Sequence, residues 1–314
     1  MAIIQHKIGS GFGAHSTADD VLAGIDLSGK TVLITGGYSG LGLEATRALV
    51  RAGAYVVVPA RRPAVAEEAL RGIPRTEVGE LDLADLGSVE AFSDRFLQSG
   101  RLIDIVITNA GVMAYPDERV GPGWEAHFAI NHLGHYALVN RLRPALSPDA
   151  ARVVSVASAG HFLSDIRWDD PHFRDGYDHW LAYGQSKTAN ALFAVHLNAL
   201  GVRAFSVHPG SILTPLQRRI PREEQIAQGW IDRDGRQARG FKTPAQGAAT
   251  AVWAATEPRL EEYGGAYCQD CDIAEMAATD DMLIGGVKPW AIDPASASRL
   301  WALSAELTGL DAFS

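Results

Sequence analysis

Residues 35–42 form a glycine-rich turn, TGGYSGLG, between an apolar run at residues 31–36 and a segment with helical periodicity. Glycines at positions 36, 40 and 42 permit a tight turn and a close approach of the backbone to a ligand. The helix that follows offers free N–H groups and the positive end of its dipole to a phosphate. A purely structural turn is the alternative, but the strand before and the helix after favour a dinucleotide-binding βαβ unit.

Short β-prone runs alternate with helical segments along the chain. Strands are predicted at residues 31–36, 54–60, 77–83, 103–108, 152–157, 202–207 and 265–268. Helices are predicted at residues 41–52, 64–71, 86–97, 124–146, 183–200 and 243–255, with Asp85 as an N-cap. The strands are apolar on both faces, which is typical of a parallel sheet that helices cover on both sides. We therefore predict an α/β fold, a single doubly wound Rossmann domain whose parallel sheet has about seven strands.

Three segments interrupt this alternation. Residues 1–29 are predicted to be an N-terminal extension, a tail with a short helix, before a single domain over residues 30–314. Residues 159–182 and 215–242 are insertions in that domain, and long insertions are often lids over a site. The second is polar and charged, so we predict a mobile lid that cannot pack as a core element. Three tryptophans in these insertions are candidates for core residues or for walls of an apolar pocket: Trp168, Trp180 and Trp230.

Charge and composition exclude several classes of protein. The chain has 28 Lys and Arg against 37 Asp and Glu, a net charge of -9, which argues against sequence-blind nucleic-acid binding. Its 2 cysteines cannot form a disulfide scaffold and fit a reducing compartment. No apolar run reaches the roughly 18 residues of a membrane helix, and the first residues lack the apolar core of a signal peptide. We therefore expect a soluble cytoplasmic protein without a nucleic-acid or membrane partner.

The second predicted strand ends in Ala60, Arg61 and Arg62. An NAD-binding unit usually carries an acidic residue at this point, which binds the ribose 2′-hydroxyl. An arginine can instead bind a 2′-phosphate through its forked, charged donors. The sequence therefore predicts NADP(H) in preference to NAD(H); the alternative is that two surface arginines merely follow a strand.

Tyr183 and Lys187 are four residues apart in a predicted helix, so their side chains share one face. An ammonium group placed there is expected to favour the phenolate and lower the pKa of the tyrosine. Such a tyrosine can give a proton to a carbonyl oxygen or take one from an alcohol. A tyrosine and a lysine four residues apart in a helix are common by chance, so this spacing indicates a catalytic pair only in combination with other motifs.

Together with the glycine turn, these residues resemble the short-chain dehydrogenase/reductase family over about residues 30–270. The motifs that carry the resemblance are residues 35–42, Asp82-Leu83, Asn109-Ala110-Gly111, Asn131, Ser158, Tyr183, Lys187 and His208-Pro209-Gly210. The long interval between Ser158 and Tyr183 and the segments 24–30 and 242–247 are similar to the branch that contains retinol dehydrogenases and WW-domain oxidoreductases. We expect neither the membrane anchor of many retinol dehydrogenases nor a WW domain, so a retinoid substrate is not carried over.

The resemblance implies four catalytic residues. Tyr183 would exchange the proton, and Ser158 rather than Ser155 would orient the substrate oxygen. Lys187 would bind the nicotinamide ribose and tune Tyr183. Asn131 would hold a water that relays protons from Lys187 to solvent.

The resemblance also implies how the cofactor is bound, with Asp82 at the adenine amine and Thr214 near the nicotinamide carboxamide. The cofactor-binding residues implied are Gly36, Tyr38, Ser39, Gly40, Leu41, Gly42, Arg61, Arg62, Asp82, Leu83, Asn109, Ala110, Gly111, Tyr183, Lys187, Pro209, Gly210, Ile212 and Thr214. No metal is expected, because the CxxC at residues 268–271 lacks a second pair of ligands. The helix histidines His127, His132 and His135 are interpreted as packed or solvated residues.

These expectations converge on an NADP(H)-dependent oxidoreductase. It would transfer a hydride between the nicotinamide and a secondary alcohol, a ketone or an aldehyde, with Tyr183 as general acid and base. Two alternatives stay open: a lyase, epimerase or double-bond reductase that uses the same tyrosine, or a non-catalytic protein that senses NADP(H). The expected partner is a small alcohol or carbonyl substrate. The sequence leaves open whether the protein forms a homo-oligomer.

Overall fold

The computed structural model describes residues 3–148 and 150–313. The seven strands and six helices that the sequence predicts occur in the predicted order, and further elements lie before, between and after them. The strands are β1 (Thr31–Ile34), β2 (Tyr55–Ala60), β3 (Thr76–Glu80), β4 (Ile105–Thr108), β5 (Arg119–Val120), β6 (Trp124–Glu125), β7 (Arg152–Val156), β8 (Arg203–His208), β9 (Tyr267–Gln269) and β10 (Asp272–Ile273). The α-helices are α1 (Ala18–Leu22), α2 (Gly40–Arg51), α3 (Pro63–Ala69), α4 (Leu86–Gln98), α5 (Gly134–Leu142), α6 (His179–Ala199), α7 (Arg222–Ala227), α8 (Pro244–Thr256) and α9 (Pro294–Thr308).

Eight strands form one sheet in the order β10-β9-β8-β7-β4-β1-β2-β3. Seven of them are parallel, and β10 pairs antiparallel to β9. The predicted doubly wound Rossmann domain is therefore confirmed, and the sheet gains a two-residue edge strand. The order of the strands reverses at β1 and β4, and open α/β sheets bind ligands in the crevice outside the strand ends at such a point.

The sheet is buried between two layers of apolar side chains. Along β1, Val32 and Ile34 pack into one cluster while Leu33 packs into the other. This alternation puts successive side chains on opposite faces of the strand. Both clusters are apolar because helices cover both faces, as the sequence predicts.

The helix predicted over residues 124–146 begins later than expected. Trp124 and Glu125 instead pair as a short hairpin with β5, and a π-helical turn (Phe128–Leu133) precedes α5. The buried Glu125 carboxylate explains the late start, because it accepts the backbone N–H groups of His127 at 2.9 Å and Phe128 at 2.7 Å. These bonds satisfy donors that begin a helix, so the helical segment starts after Glu125.

The N-terminal extension packs against the domain. Helix α1 contacts α2 and α8. Nearer the N-terminus, the Gln5 side chain donates to the carbonyls of Tyr267 and Ala274, each at 2.6 Å. The Asp272 carboxylate accepts the backbone N–H groups of Ile8 at 2.9 Å and Gly9 at 3.1 Å. The extension therefore covers the edge of the sheet at β9 and β10, where unpaired backbone groups would otherwise lie open.

Cys268 and Cys271 flank the turn between β9 and β10. Both are buried and unpaired, and burial raises the pKa of the Cys271 thiol to about 11. The CxxC spacing thus reflects a tight turn, in which Asp270 and Cys271 have φ angles of 54° and 57°.

Within residues 3–148 and 150–313, no helix is long and apolar enough to cross a membrane.

Candidate active site

A cleft of about 480 Å³ opens at the carboxyl ends of the parallel strands, and a smaller cavity of about 120 Å³ adjoins it. The large cleft is lined by most of the residues that the sequence singled out: Gly36, Tyr38, Ser39, Gly40, Leu41, Gly42, Arg61, Arg62, Asn109, Ala110, Gly111, Ser158, Tyr183, Lys187, Pro209, Gly210, Ile212 and Thr214. Asp82 and Leu83 line the smaller cavity. Asn131 lines neither and lies buried behind the cleft.

The glycine turn is shaped for close approach of a ligand. A Cβ atom at Gly42 would lie 2.3 Å from the Gly36 carbonyl oxygen, so no other residue fits there. Gly36 has a φ of 67°, in the left-handed region that favours glycine. Asn109 fixes the turn to the end of β4, because its side chain donates to the Thr35 carbonyl at 2.9 Å.

Helix α2 starts at Gly40 and points its N-terminus at the cleft. Ser39 is the N-cap residue, and its side chain makes no capping hydrogen bond. The first N–H groups of a helix lack intrahelical partners, and the helix dipole adds positive potential there. Together with the glycine turn, this end of the cleft fits the pyrophosphate of a dinucleotide.

Tyr183 and Ser158 meet on the cleft wall. Tyr183 is 5% exposed in the second turn of α6. Ser158 is the N-cap of a short 3₁₀ turn (Ala159–Phe162), where its Oγ accepts the Gly160 N–H at 3.0 Å. Burial raises the pKa of Tyr183 to about 12, and a hydrogen bond with the Ser158 side chain opposes that rise.

Lys187 lies one turn further along α6, and its Nζ is 5.7 Å from the centre of the Tyr183 ring. The ammonium donates to the Val156 carbonyl at 3.0 Å, and burial lowers the pKa of Lys187 to about 8. The sequence predicted that this ammonium lowers the pKa of Tyr183. In the structure burial of the phenol sets the direction of its pKa shift, and the Lys187 ammonium is directed at the backbone of β7. The tuning of Tyr183 by Lys187 stays a prediction.

Asn131 lies in the π-helical turn and is fully buried. Its Oδ1 accepts the Val112 N–H at 2.8 Å, and its Nδ2 donates to the Val112 carbonyl and to Ser186 Oγ. These bonds tie the π-helical turn to the loop after β4 and to α6. The water-holding role of Asn131 stays a prediction.

An ion pair between a buried lysine and a partly exposed aspartate, which the sequence did not indicate, lies beneath the loop after β8. Lys242 Nζ is 2.5 Å from Asp270 Oδ1, and Lys242 is 8% exposed. Gly210 has a φ of 101°, and a Cβ there would lie 2.7 Å from Lys242 Cδ. His208 Nδ1 accepts the Ala159 N–H at 3.1 Å, and burial lowers the pKa of His208 to about 3. These groups connect the loop at residues 208–210 to the turn that carries Ser158.

Apolar side chains line the part of the cleft near Tyr183. Trp180 and Trp230 both line it, with ring centres 6.0 Å apart in an edge-on arrangement. Ile220 is 4% exposed and packs with Met113 and Tyr183. The expectation that residues 215–242 cannot pack as a core element was therefore wrong at Ile220, because that side chain contributes to a small apolar cluster.

Trp168, the third tryptophan of the two insertions, packs away from this apolar group. Trp168 contacts the apolar cluster under α9, and the Arg299 guanidinium lies over the Trp168 ring at 4.3 Å from its centre.

The helix histidines are packed rather than solvated. His127 Nδ1 is 2.6 Å from the Glu125 carboxylate, and His132 Nε2 is 2.7 Å from Ser304 Oγ.

Arg61 and Arg62 are exposed at the end of β2 and line the cleft. Among the residues that the structure describes, neither has a carboxylate within salt-bridge distance. Arg218, which the sequence did not single out, lines both the cleft and the smaller cavity. Unpaired guanidinium groups at this end fit a phosphate.

Comparisons with known proteins agree with this geometry. Residues 30–225 match the family model of the short chain dehydrogenases. The chain is 41% identical over 295 residues to a probable oxidoreductase of Streptomyces lividans, covering 90% of this chain and 98% of that protein. It is 35% identical over 297 residues to retinol dehydrogenase 12 of Mus musculus, covering 91% and 88%. The chain therefore belongs to the short-chain dehydrogenase/reductase family, whose enzymes use NAD(P)(H) on small-molecule substrates.

A solved structure shares the architecture of this chain. The crystal structure of the angucycline C-6 ketoreductase LanV with bound NADP superposes with a TM-score of 0.61 at 27% identity. The similarity covers 83% of this chain and 98% of that one. The large cleft and the glycine turn thus belong to a fold similar to the fold of this NADP-bound ketoreductase.

Proposed function

We propose that the protein is an NADP(H)-dependent oxidoreductase that interconverts a secondary alcohol and a ketone, or an alcohol and an aldehyde. The observation that carries the proposal is the meeting of Tyr183, Ser158 and Lys187 on the wall of the cleft that the glycine turn also lines. The nicotinamide cofactor, when bound, supplies or accepts the hydride. The chain supplies the proton and the groups that hold the substrate oxygen.

Tyr183 is suited to be the proton donor. Because burial raises its pKa to about 12, the phenol keeps its proton at neutral pH and can donate it as negative charge develops on a carbonyl oxygen. The Ser158 hydroxyl lines the same wall of the cleft and orients that oxygen. Lys187 is close enough to the phenol to stabilise its charge after proton transfer, and Asn131 lies behind both as part of the proposed proton relay.

NADP(H) is the preferred cofactor in this proposal. The second strand ends in Arg61 and Arg62 with no acidic residue to bind a ribose 2′-hydroxyl. Their lack of carboxylate partners leaves both guanidinium groups able to bind a 2′-phosphate through charge-assisted hydrogen bonds. The NADP bound by the similar ketoreductase supports the same choice.

The test is turnover by the purified protein with a panel of ketones, aldehydes and alcohols, followed by the absorbance of the reduced nicotinamide. We expect turnover with at least one carbonyl class and higher kcat/KM with NADPH than with NADH. The panel should favour apolar substrates, because Trp180, Trp230 and Met113 wall the cleft. Tight cofactor binding without turnover of any member would instead support the non-catalytic alternative.

A further inference from the structure

Arg218 occupies a position that the proposed function does not yet use. It belongs to a 3₁₀ turn (Pro215–Arg219) at the start of the insertion at residues 215–242. It lines the large cleft and also the smaller cavity, which Asp82 and Leu83 help to form. Arg61 and Tyr38 line both cavities as well. An arginine of the insertion and an arginine at the end of β2 therefore line the same small cavity.

The turn that carries Arg218 is fixed from its N-terminal side. Thr214 and Gln217 form a capping box, in which Gln217 Oε1 accepts the Thr214 N–H at 2.8 Å. The Gln217 amide donates to the Ile212 carbonyl at 2.7 Å. A Cβ at Gly40 would lie 3.4 Å from Thr214 Cβ, so the segment crosses directly over the start of α2. The turn is therefore held above the glycine loop.

Its C-terminal side is fixed by the neighbouring arginine. The Arg219 guanidinium stacks on the Tyr115 ring at 3.9 Å and lies 3.6 Å from the Glu118 carboxylate. Tyr115 is itself held in place, because its N–H donates to His127 Nε2 at 3.1 Å and its carbonyl accepts the Tyr177 hydroxyl at 2.8 Å. Arg219 thus anchors the turn across the cleft and leaves Arg218 on the cavity.

The two adjacent arginines differ in their partners. Arg219 has a carboxylate and an aromatic ring, whereas Arg218 donates to the Pro215 carbonyl of its own turn at 2.8 Å. Over residues 3–148 and 150–313 no carboxylate lies within salt-bridge distance of Arg218. Most of its N–H donors therefore remain available. Asp82 also lines the cavity, but its carboxylate accepts the Ala84 N–H at 2.9 Å.

Resting on the proposed function, we propose that Arg218 binds the 2′-phosphate of NADP(H) together with Arg61. A phosphate dianion is the ligand that two arginine side chains without carboxylate partners fit best, because it can accept charge-assisted hydrogen bonds from both. The insertion would then close on the adenosine end of the cofactor as well as on the substrate. This assigns a cofactor-specificity role to a residue of the lid.

The experiment measures binding of two cofactor fragments, 2′,5′-ADP and 5′-AMP, and of NADP⁺ and NAD⁺ by isothermal titration calorimetry. The variant is Arg218→Gln, and Arg236→Gln is the matched control, since Arg236 lies in the same insertion and its one ion pair within residues 3–148 and 150–313 is with Asp234. We expect Arg218→Gln to raise the Kd of 2′,5′-ADP and NADP⁺ about tenfold and that of 5′-AMP and NAD⁺ less than about twofold. Arg218→Lys should recover part of the loss, and the control should change none of the four.

Three outcomes would overturn the assignment. Equal losses for 2′,5′-ADP and 5′-AMP would mean that Arg218 contacts a group that both fragments share, such as the 5′-phosphate or the adenine, instead of the 2′-phosphate. An unchanged Kd with a raised substrate KM would place Arg218 at the substrate. Unchanged values throughout would leave Arg61 and Arg62 as the phosphate ligands. If the wild-type protein itself binds 2′,5′-ADP no better than 5′-AMP, the proposed NADP(H) preference fails, which is a separate result.

Discussion

Burial shifts the pKa of Tyr183 and of Lys187 in opposite directions for one physical reason. A buried site disfavours the charged form of either group, which raises the pKa of Tyr183 to about 12 and lowers that of Lys187 to about 8. At neutral pH the tyrosine is therefore a neutral acid beside a lysine that is still mainly an ammonium. This arrangement suits donation of a proton to a carbonyl oxygen and its replacement through Lys187.

The arginines at the end of β2 lead to a prediction about cofactor choice. Replacing both, Arg61→Ala and Arg62→Ala, should remove most of the preference for NADP(H), because a charge-assisted contact at a partly exposed site is worth on the order of tenfold to a hundredfold in affinity. The measurement is kcat/KM with both cofactors for the wild-type protein and the double variant. The assignment fails if the wild type prefers NAD(H), or if the double variant keeps the full preference.

Residues within local motifs could be predicted from the sequence, and residues joined by long-range contacts could not. Gly36, Gly42, Tyr183 and Lys187 each belong to a short pattern whose geometry follows from a turn or a helix. Lys242 pairs with Asp270 across 28 residues, and this contact depends on the path of the intervening chain. Arg218 escaped notice for the same reason, since no spacing connects it to Arg61.

At the scale of elements, the insertion at residues 215–242 is anchored near its two ends, through Arg219 and Lys242, and makes few buried apolar contacts in between. Ile220 packs beside Tyr183, and Trp230 packs on Trp180. Helix α7 has no buried residue, and most of the segment around it is exposed or half-buried. Segments with few buried apolar contacts typically have a low free energy of local unfolding.

We therefore predict that this insertion behaves as a mobile lid. In hydrogen exchange, the amides of residues 221–241 should exchange much faster than those of β1 and β4 in the free protein. They should slow when NADP⁺ and an alcohol substrate are added, because Trp230 and Ile220 would then be held against the ligand. Protection equal to that of the strands without any ligand would contradict the lid.

Errors in the predicted elements have specific causes. The helix expected at residues 124–146 starts later than predicted, because the buried carboxylate of Glu125 accepts the backbone N–H groups that begin the helical segment. A glutamate is usually exposed, so the sequence did not indicate that Glu125 is buried. The edge strand β10 has two residues, which is too short for an alternating pattern to show. The longer parallel strands were found because continuous apolar runs mark them.

At the scale of the whole molecule, both ends of the chain pack against the central domain. Residues near the N-terminus cover the edge strands, through Gln5 and Asp272. Near the C-terminus, the Leu310 carbonyl accepts the Tyr136 hydroxyl at 2.7 Å, and the Ala312 N–H donates to Asn140 at 2.8 Å. These contacts join positions more than a hundred residues apart, so composition and periodicity could not reveal them.

Several buried histidines make the stability of the molecule sensitive to acid. Burial lowers the pKa of His132 and His208 to about 3 and of His135 and His161 to about 4. In the unfolded chain these groups take up protons below about pH 6.5, so each costs the folded state up to about 1.4 kcal/mol per pH unit below that value. The contribution of these histidines to stability is therefore complete above about pH 6.5 and is lost as the pH falls through about 4 for His135 and His161 and toward about 3 for His132 and His208.

Urea denaturation between neutral pH and about pH 5 checks this linkage. The free energy of unfolding should fall steeply over that interval, and His132→Gln should make the fall shallower, by up to about 1.4 kcal/mol per pH unit at its acidic end. His132 suits this test because its Nδ1 has no hydrogen-bond partner within the described part of the chain. A stability that is constant from neutral pH to about pH 5 would be inconsistent with neutral buried histidines.

The central claim is that Tyr183 transfers the proton in an NADP(H)-dependent oxidation or reduction. The most direct measurement compares turnover by the wild-type protein with turnover by Tyr183→Phe, which removes the hydroxyl and almost no volume. The account predicts that kcat falls about 100-fold or more, roughly the contribution of a general acid, while the Kd of NADP⁺ is unchanged. Turnover within about threefold of the wild type would contradict the account, since loss of a general acid costs far more than that.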